Sequence, residues 1–227
     1  MKHRSAEVVA LIETEMLRGL MPPGLRLPSE EKLCAHFKAS RTVIREALQQ
    51  LRGRGLLHTI KGSGTYVSDV SLDPLGQAMH SYATLAFEAD FTELIGFRIL
   101  LETECARLAA QRSDAVLIDR LRDILREMSK NLSNPDTFSA RDIDFHLVIA
   151  KASGNRILAT VLNSLQERCI QFARANRGTR ENHKRTVEAH RNIVDAIASG
   201  DPDLAAASMH AHLQASRRHF ADNESNP

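Results

Sequence analysis

LPSEEKLCAHFKASRTVIREALQQLRGRGLLHTIKGSGTYV, residues Leu27 to Val67 of a 227-residue chain, places a short helix, a tight turn, a second helix and a small hairpin one after another without slack. Ser29 precedes Glu30, Glu31 and Lys32, so it reads as an N-cap followed by carboxylates in the first turn, where the helix dipole favours them. Lys38, Ala39 and Ser40 are too few for anything but a turn, and Ser40 can cap a second helix from about Arg41 to Arg52. In that helix Ile44, Ala47, Leu48 and Leu51 share one face and require a core, which leaves Arg41, Arg45 and Gln49 on another side. Leu56 to Ile60 and Thr65 to Val67 then form two strand-like runs around Lys61-Gly62-Ser63-Gly64, a glycine-rich hairpin with one positive charge. A solvated arginine face alone is ordinary. In the order helix, turn, helix, basic hairpin it matches a winged helix-turn-helix whose second helix enters a DNA major groove, with Arg41 and Arg45 suited to guanine or phosphate and Thr42 to phosphate.

Charge is distributed in keeping with that reading. Residues 1–70 hold eleven Lys/Arg against seven Asp/Glu, a net +4, within a chain whose overall net charge is only +2. Upstream, Ser5 to Leu20 is expected to be the third helix of this small domain, with Val9, Ile12, Met16 and Leu20 inward, ended by Pro22-Pro23-Gly24. Residues 1–70 are therefore assigned to the DNA-binding domain, Ser68 to Pro74 to a polar linker, and residues 71–227 to a second domain. Three widely spaced cysteines, Cys34, Cys105 and Cys169, show neither CxxC nor metal-ligand spacing and read as reduced thiols. No run of about 20 apolar residues occurs, and the acids inside the apolar N-terminal stretch argue against a signal peptide. The expectation is a cytoplasmic protein that does not engage membranes.

Beyond the linker no convincing strand appears, and capping signals separate about seven amphipathic helices, which predict an antiparallel all-α bundle. They run from Pro74 to about Glu88, from Asp90 to about Gln111, and from Ser113 to about Leu132. The next extends from about Phe138 to Ser153 after a break at Asn134-Pro135-Asp136. The last three are Arg156 to about Asn176, Thr179 to Ser199, and a helix from Asp201-Pro202 to about Ala221. The fold class is thus mainly α, a winged helix-turn-helix followed by a helical bundle.

Several polar residues of this bundle fall on faces that ought to be buried. Asp142 and His146 lie one turn apart with Ile149 and Ala150, His190 lies with Val187, Val194 and Ile197, and His212 shares a face with Ala205, Ser208 and Ala215. One carboxylate and three imidazoles from three helices could meet as a divalent transition-metal site. They could equally be hydrogen-bonded core residues. His210 and Asp144, each two residues from a candidate, point elsewhere on their helices.

The motifs Met21-Pro22-Pro23-Gly24-Leu25-Arg26-Leu27-Pro28-Ser29-Glu30, Ser40-Arg41-Thr42-Val43-Ile44-Arg45-Glu46-Ala47-Leu48 and Gly62-Ser63-Gly64-Thr65-Tyr66-Val67 resemble the winged-helix domain of the GntR superfamily of bacterial transcription regulators. Asp142 to His146, Ala152 to Asn155, Glu188-Ala189-His190 and Met209 to Leu213 resemble the FCD effector domain of its FadR subfamily. The resemblance implies operator contacts by Ser40, Arg41, Thr42 and Arg45, with Gly62 at the wing tip in the minor groove. Together with Arg26, Lys32 and Lys61 these make the expected DNA-contacting set. It also implies a metal held by Asp142, His146, His190 and His212, with zinc first and nickel, manganese or iron as alternatives. Arg98 would grip the carboxylate of a small, sugar-acid-like effector, with Asn155, Arg174, Asn176 and Arg177 as further candidates for the pocket rim. By residue type alone Arg98 could equally be a surface arginine paired with Glu102, and His183, Arg180 and Lys184 are expected to be solvated. Where many relatives carry an arginine after the LPSE motif this chain has Glu31, which cannot take a phosphate or guanine contact.

These features predict a homodimeric regulator, acting as a repressor on palindromic double-stranded operator DNA and answering to an organic acid at a metal site. Two other classes compete. A metal-dependent hydrolase or lyase would use open metal positions to activate water, though the sequence presents no well-placed general base. A metal sensor would take the ion itself as its signal.

Overall fold

In the computed structural model, residues 2–69, 71–85, 91–175 and 178–224 are described, and the chain divides into two compact units, Met1–Pro74 and Leu75–Pro227.

The first unit holds α1 (Lys2–Leu17), α2 (Glu30–Phe37), α3 (Arg41–Gly53) and a hairpin of β1 (Leu57–Ile60) and β2 (Gly64–Val67). Its caps are those the side chains dictate: Ser29 accepts from the Lys32 N–H and Ser40 from the Val43 N–H, each at 3.4 Å. Between them Lys38 takes a left-handed conformation, φ 48°, that ends α2 and lets the chain turn at once into α3. The core gathers Val8, Val9 and Ile12 of α1, Leu33 and Phe37 of α2, and Ile44, Ala47, Leu48 and Leu51 of α3. The strands pair antiparallel in the register Leu57↔Val67 to Ile60↔Gly64. Ahead of α2 the chain adds a third extended segment to the hairpin, with the Leu27 N–H donating to the Thr65 carbonyl at 2.8 Å and the Val67 N–H to the Leu25 carbonyl at 2.9 Å.

One inward residue of α1 is misplaced by periodicity. Leu20 is 65% exposed because the helix has ended at Leu17. The Leu20 N–H reaches back to the Glu15 carbonyl and the Gly19 N–H to that of Met16, a Schellman closure with Gly19 at φ 73°. Val8, in the first half of α1, and Met21, just beyond the closure, are buried instead.

The second unit is helical throughout its described residues: α4 (Asp73–Leu85), which begins at the boundary, then α5 (Phe91–Gln111), α6 (Ala115–Lys130), α7 (Pro135–Ala152), α8 (Arg156–Ser164), α9 (Gln166–Ala175), α10 (Arg180–Ala198) and α11 (Pro202–Glu224). The centre is α7, whose Phe138, Ile143, Phe145, Leu147, Ile149 and Ala150 are buried on nearly every side, as expected of a helix enclosed by neighbours. Around it pack α5, α6, α8 and α9, while α10 and α11 lie together against α5.

Two boundaries differ from the sequence reading. Asn134-Pro135 starts α7 rather than breaking the chain before it, since the Asn134 side chain accepts from the Thr137 N–H and Pro135 occupies the first turn. The expected helix from Arg156 to about Asn176 is two helices, because the Leu165 N–H turns back three residues to the Leu162 carbonyl while the Ser164 hydroxyl takes the Val161 carbonyl. The expected cap at Asp90 and the end of its preceding helix at Glu88 lie outside the described residues, as do Asn176 and Arg177.

Candidate metal centre and nucleic-acid interface

In the first unit, burial of Val43, Ile44, Ala47, Leu48 and Leu51 leaves Arg41, Thr42, Arg45 and Gln49 on the exposed side of α3. Arg45 does not wave free. Its Nε donates to both oxygens of Glu30, at 3.0 and 2.8 Å, which ties the middle of α3 to the first turn of α2. Lys61 and Gly62 form the exposed tip of the hairpin, and Gly62 sits at φ 77° with open space where a Cβ would be, so this glycine serves backbone shape alone. Gly64 serves close approach: a Cβ there would come within 2.8 Å of Arg26 Nε, so the Arg26 side chain lies against the turn end of the wing, where Gly64 pairs with Ile60. Lys32 is exposed on α2, and Ser40 is spent partly on capping α3. A helix with donors on its open face, a basic hairpin beside it and an apolar core beneath can dock on a duplex through phosphates and base edges.

In the second unit, Asp142 and His146 of α7, His190 of α10 and His212 of α11 bring one ligand atom each into a group whose members all lie within 4.8 Å of one another. The three imidazoles are buried, His190 completely. His190 Nε2 is 3.2 Å from His212 Nε2 and 3.5 Å from Asp142 Oδ1. Two nitrogens bound at about 2.1 Å to one ion sit roughly 3.0 to 3.4 Å apart, so the observed spacing suits a shared ion. His146 Nε2 and Asp142 Oδ1 are buried with no hydrogen-bond partner in the protein, a costly arrangement that a cation would relieve. The donor set fits a divalent transition metal.

A residue absent from the sequence reading of this centre orients it. Glu102 of α5, 3% exposed, places Oε2 2.5 Å from His146 Nδ1 and accepts from Arg98 Nε through Oε1 at 2.6 Å. With a carboxylate on Nδ1, that nitrogen carries the proton and His146 Nε2 presents its lone pair, the usual outer support of a ligating histidine. Burial disfavours the Glu102 carboxylate, but Arg98 and then His146 outweigh it and hold the group at about 2. Burial likewise opposes charge on Arg98, and Glu102 more than compensates, raising its pKa. Desolvation, and after it the neighbouring imidazoles and Arg98, pushes His190 and His212 well below the usual histidine value, so both present neutral nitrogens. Desolvation raises Asp142. The signal for Glu102 was present: it stands four residues after Arg98 and in helical register with the buried Cys105, Ala106 and Ala109.

Arg98, Asp142 and His212 also line a cavity of about 300 Å³. The expected i,i+4 pairing of Arg98 with Glu102 exists, yet it is not a surface pair, for Arg98 is 11% exposed. Asn155 is not among the lining residues: its side chain caps α8, accepting from the Ile157 and Leu158 N–H groups at 3.1 and 3.2 Å. The Arg174 side chain, with Asn176 and Arg177, lies outside the described residues. His183, expected to be solvated, is buried on the same face of α10 as Val187 and His190. Its Nδ1–H donates to the Leu132 carbonyl at 2.7 Å, and its ring stacks on Phe138. His210 is exposed and Asp144 pairs with Arg141, so neither competes for the centre.

Comparison with known proteins agrees with both units. Residues 4–67 match the family described as bacterial regulatory proteins, gntR family, and residues 93–215 match the FCD domain. The chain is 32% identical to the HTH-type transcriptional regulator LutR of Bacillus subtilis (strain 168), over 86% of this chain and 91% of that protein. It is 31% identical to the Glc operon transcriptional activator of Escherichia coli (strain K12), over 96% and 89% of the two chains. Among solved structures, a Streptococcus agalactiae GntR protein superposes with a TM-score of 0.57 at 27% identity, covering 94% of this chain and 99% of that one.

The fold and these relatives define a DNA-binding transcriptional regulator with an effector-binding helical domain. The chain belongs to the GntR family, with an FCD domain of the kind that fits its FadR-type branch.

Proposed function

We propose that this regulator is a homodimeric, cytoplasmic repressor that holds a divalent metal ion, zinc first among the candidates, and releases a palindromic operator when a small organic acid binds beside the ion. The observation that carries the proposal is the meeting of Asp142, His146, His190 and His212 in one cluster, of which Asp142 and His212 line a cavity that also exposes Arg98. Three imidazoles and one carboxylate would hold the ion, which when bound supplies positive charge and open coordination positions for a carboxylate or hydroxyl oxygen. The protein's own part is to orient and exclude. Glu102 fixes His146 in the tautomer that presents Nε2 and steadies Arg98, whose remaining N–H groups can grip a carboxylate bidentately. In the DNA-binding unit Arg41, Thr42 and Arg45, the Ser40 region, Lys32, and the wing with Arg26, Lys61 and Gly62 take the duplex. The acid alters DNA affinity only to the extent that it binds the two states of the protein unequally.

Glu102 also bears on the hydrolase or lyase reading, which needs a general base near the ion. A carboxylate bonded to Arg98 through Oε1, with Oε2 against His146 and a pKa of about 2, is a poor base at neutral pH. Fluorescence anisotropy with operator DNA tests the proposal: the metal-loaded protein binds tightly and an acid effector weakens that binding without being consumed. Failure of the intact chain to bind operator, or turnover of the acid, would defeat it. A response of DNA affinity to free metal alone would favour the metal-sensing alternative. One relative is named an activator, and a reporter fused to the operator settles the sign for this chain.

A further inference from the structure

The length and character of the cavity can be read from the helices that line it. On α10, Asn182 stands eight residues before His190, and on α11, His219 stands seven after His212. The two helices pack against each other so that His190 meets His212 at 3.2 Å and Asn182 meets His219 at 3.0 Å. At a rise of 1.5 Å per residue the second pair lies roughly 10 to 12 Å along the bundle from the first. On α5 the lining likewise extends from Arg98 back to Phe91, about 10 Å by the same rise. The cavity therefore has a charged floor of Arg98, Asp142 and His212 and a polar far end at Asn182 and His219. Between them α5, α7 and α9 contribute the apolar Leu94, Ile95, Phe138, Ile143 and Phe172, while Ser139 of α7, His183, Arg185 and Thr186 of α10 and Ser216 of α11 are the polar groups that also reach the cavity.

We propose that the effector is a carboxylate with an apolar, preferably planar, middle and a single hydroxyl at the end remote from the acid group, rather than a polyhydroxylated sugar acid. This inference rests on the reading that an organic acid seats on Arg98 beside the metal cluster, and it narrows that acid's class. A sugar acid carries a hydroxyl on every carbon. Those turned toward Leu94, Ile95, Ile143 and Phe172 would lose water and gain no partner. A flat hydrocarbon body instead meets the edge-packed Phe91 and Phe172 rings, 5.4 Å apart. At the far end the Asn182 amide nitrogen is given to His219 Nε2, and the amide oxygen is an acceptor for a hydroxyl.

Calorimetric titration of the metal-loaded full chain with 3-(4-hydroxyphenyl)propanoate, 3-phenylpropanoate and gluconate tests this. The hydroxyphenyl acid is expected to bind at least tenfold more tightly than gluconate and several-fold more tightly than the phenyl acid. Asn182→Ala is expected to erase the preference between the two aryl acids while leaving metal content unchanged. Gluconate binding as tightly as the hydroxyphenyl acid, or a preference for the hydroxyl that survives in Asn182→Ala, would overturn the inference and leave the acid-effector reading standing. Binding of none of the three would overturn the inference, and failure of a wider set of short acids as well would take the acid-effector reading with it.

Discussion

The two units carry their chemistry on opposite sides of their surfaces. In the first, the core is made of aliphatic side chains and Phe37, and the residues assigned to DNA stand in water: Arg41, Thr42, Lys32 and Lys61 are all exposed. In the second, the assigned residues interrupt the core itself, with Glu102, His146, His190 and His212 buried among Ile95, Phe145 and Ile193. Loss of an exposed contact costs binding and little else. Loss of a buried polar partner strands its neighbours in a medium that cannot solvate them.

Substitutions should separate the two regimes. The largest effect is expected from Glu102→Gln, which leaves Arg98 buried with a weakened partner and His146 without its carboxylate. Metal affinity should fall roughly 10- to 100-fold, and urea unfolding of the second unit should show a loss of up to about 3 to 5 kcal/mol. Unchanged metal affinity would remove Glu102 from the centre. Arg41→Ala should weaken operator binding by about 1 to 3 kcal/mol while leaving the melting profile within experimental error, a combination that a structural role for Arg41 would not produce. Asn155→Ala should cost about 1 kcal/mol of stability through loss of the α8 cap with no change in acid binding; weaker acid binding would return Asn155 to the pocket rim. The smallest effect belongs to Glu30→Gln. As half of an exposed pair it is expected to change stability by no more than about 1 kcal/mol, with its influence visible in DNA affinity through the freedom given to Arg45.

The same contrast governs what could be read from sequence. The winged unit was legible nearly whole, because its caps, periodicity and glycines are local signals: Ser29, Ser40 and the Lys61-Gly62-Ser63 turn name their own conformations. The failure there, Leu20, came from extending a periodic stripe past a closure that only Gly19 marks. In the bundle, the three histidines and Asp142 were found because each breaks an apolar face. Glu102 was not, since an i,i+4 arginine and glutamate pair is usually a surface feature, and only the surrounding helices reveal that this one is enclosed. His183 was judged by its charged sequence neighbours rather than by its register with Val187 and His190. Asn155 was placed near the pocket by resemblance, and its immediate backbone claims its side chain instead.

The central claim is that α7, α10 and α11 together close on an ion. Elemental analysis of purified full-length protein, followed by anomalous diffraction at the absorption edge of the metal found, tests it most directly. The account predicts one equivalent of a divalent transition metal per chain, with its anomalous peak within bonding distance of His146, His190, His212 and Asp142, and loss of that metal in a His146→Ala, His190→Ala double variant. A wild-type protein that cannot be loaded with any such metal, or one whose metal survives removal of both histidines, would contradict it.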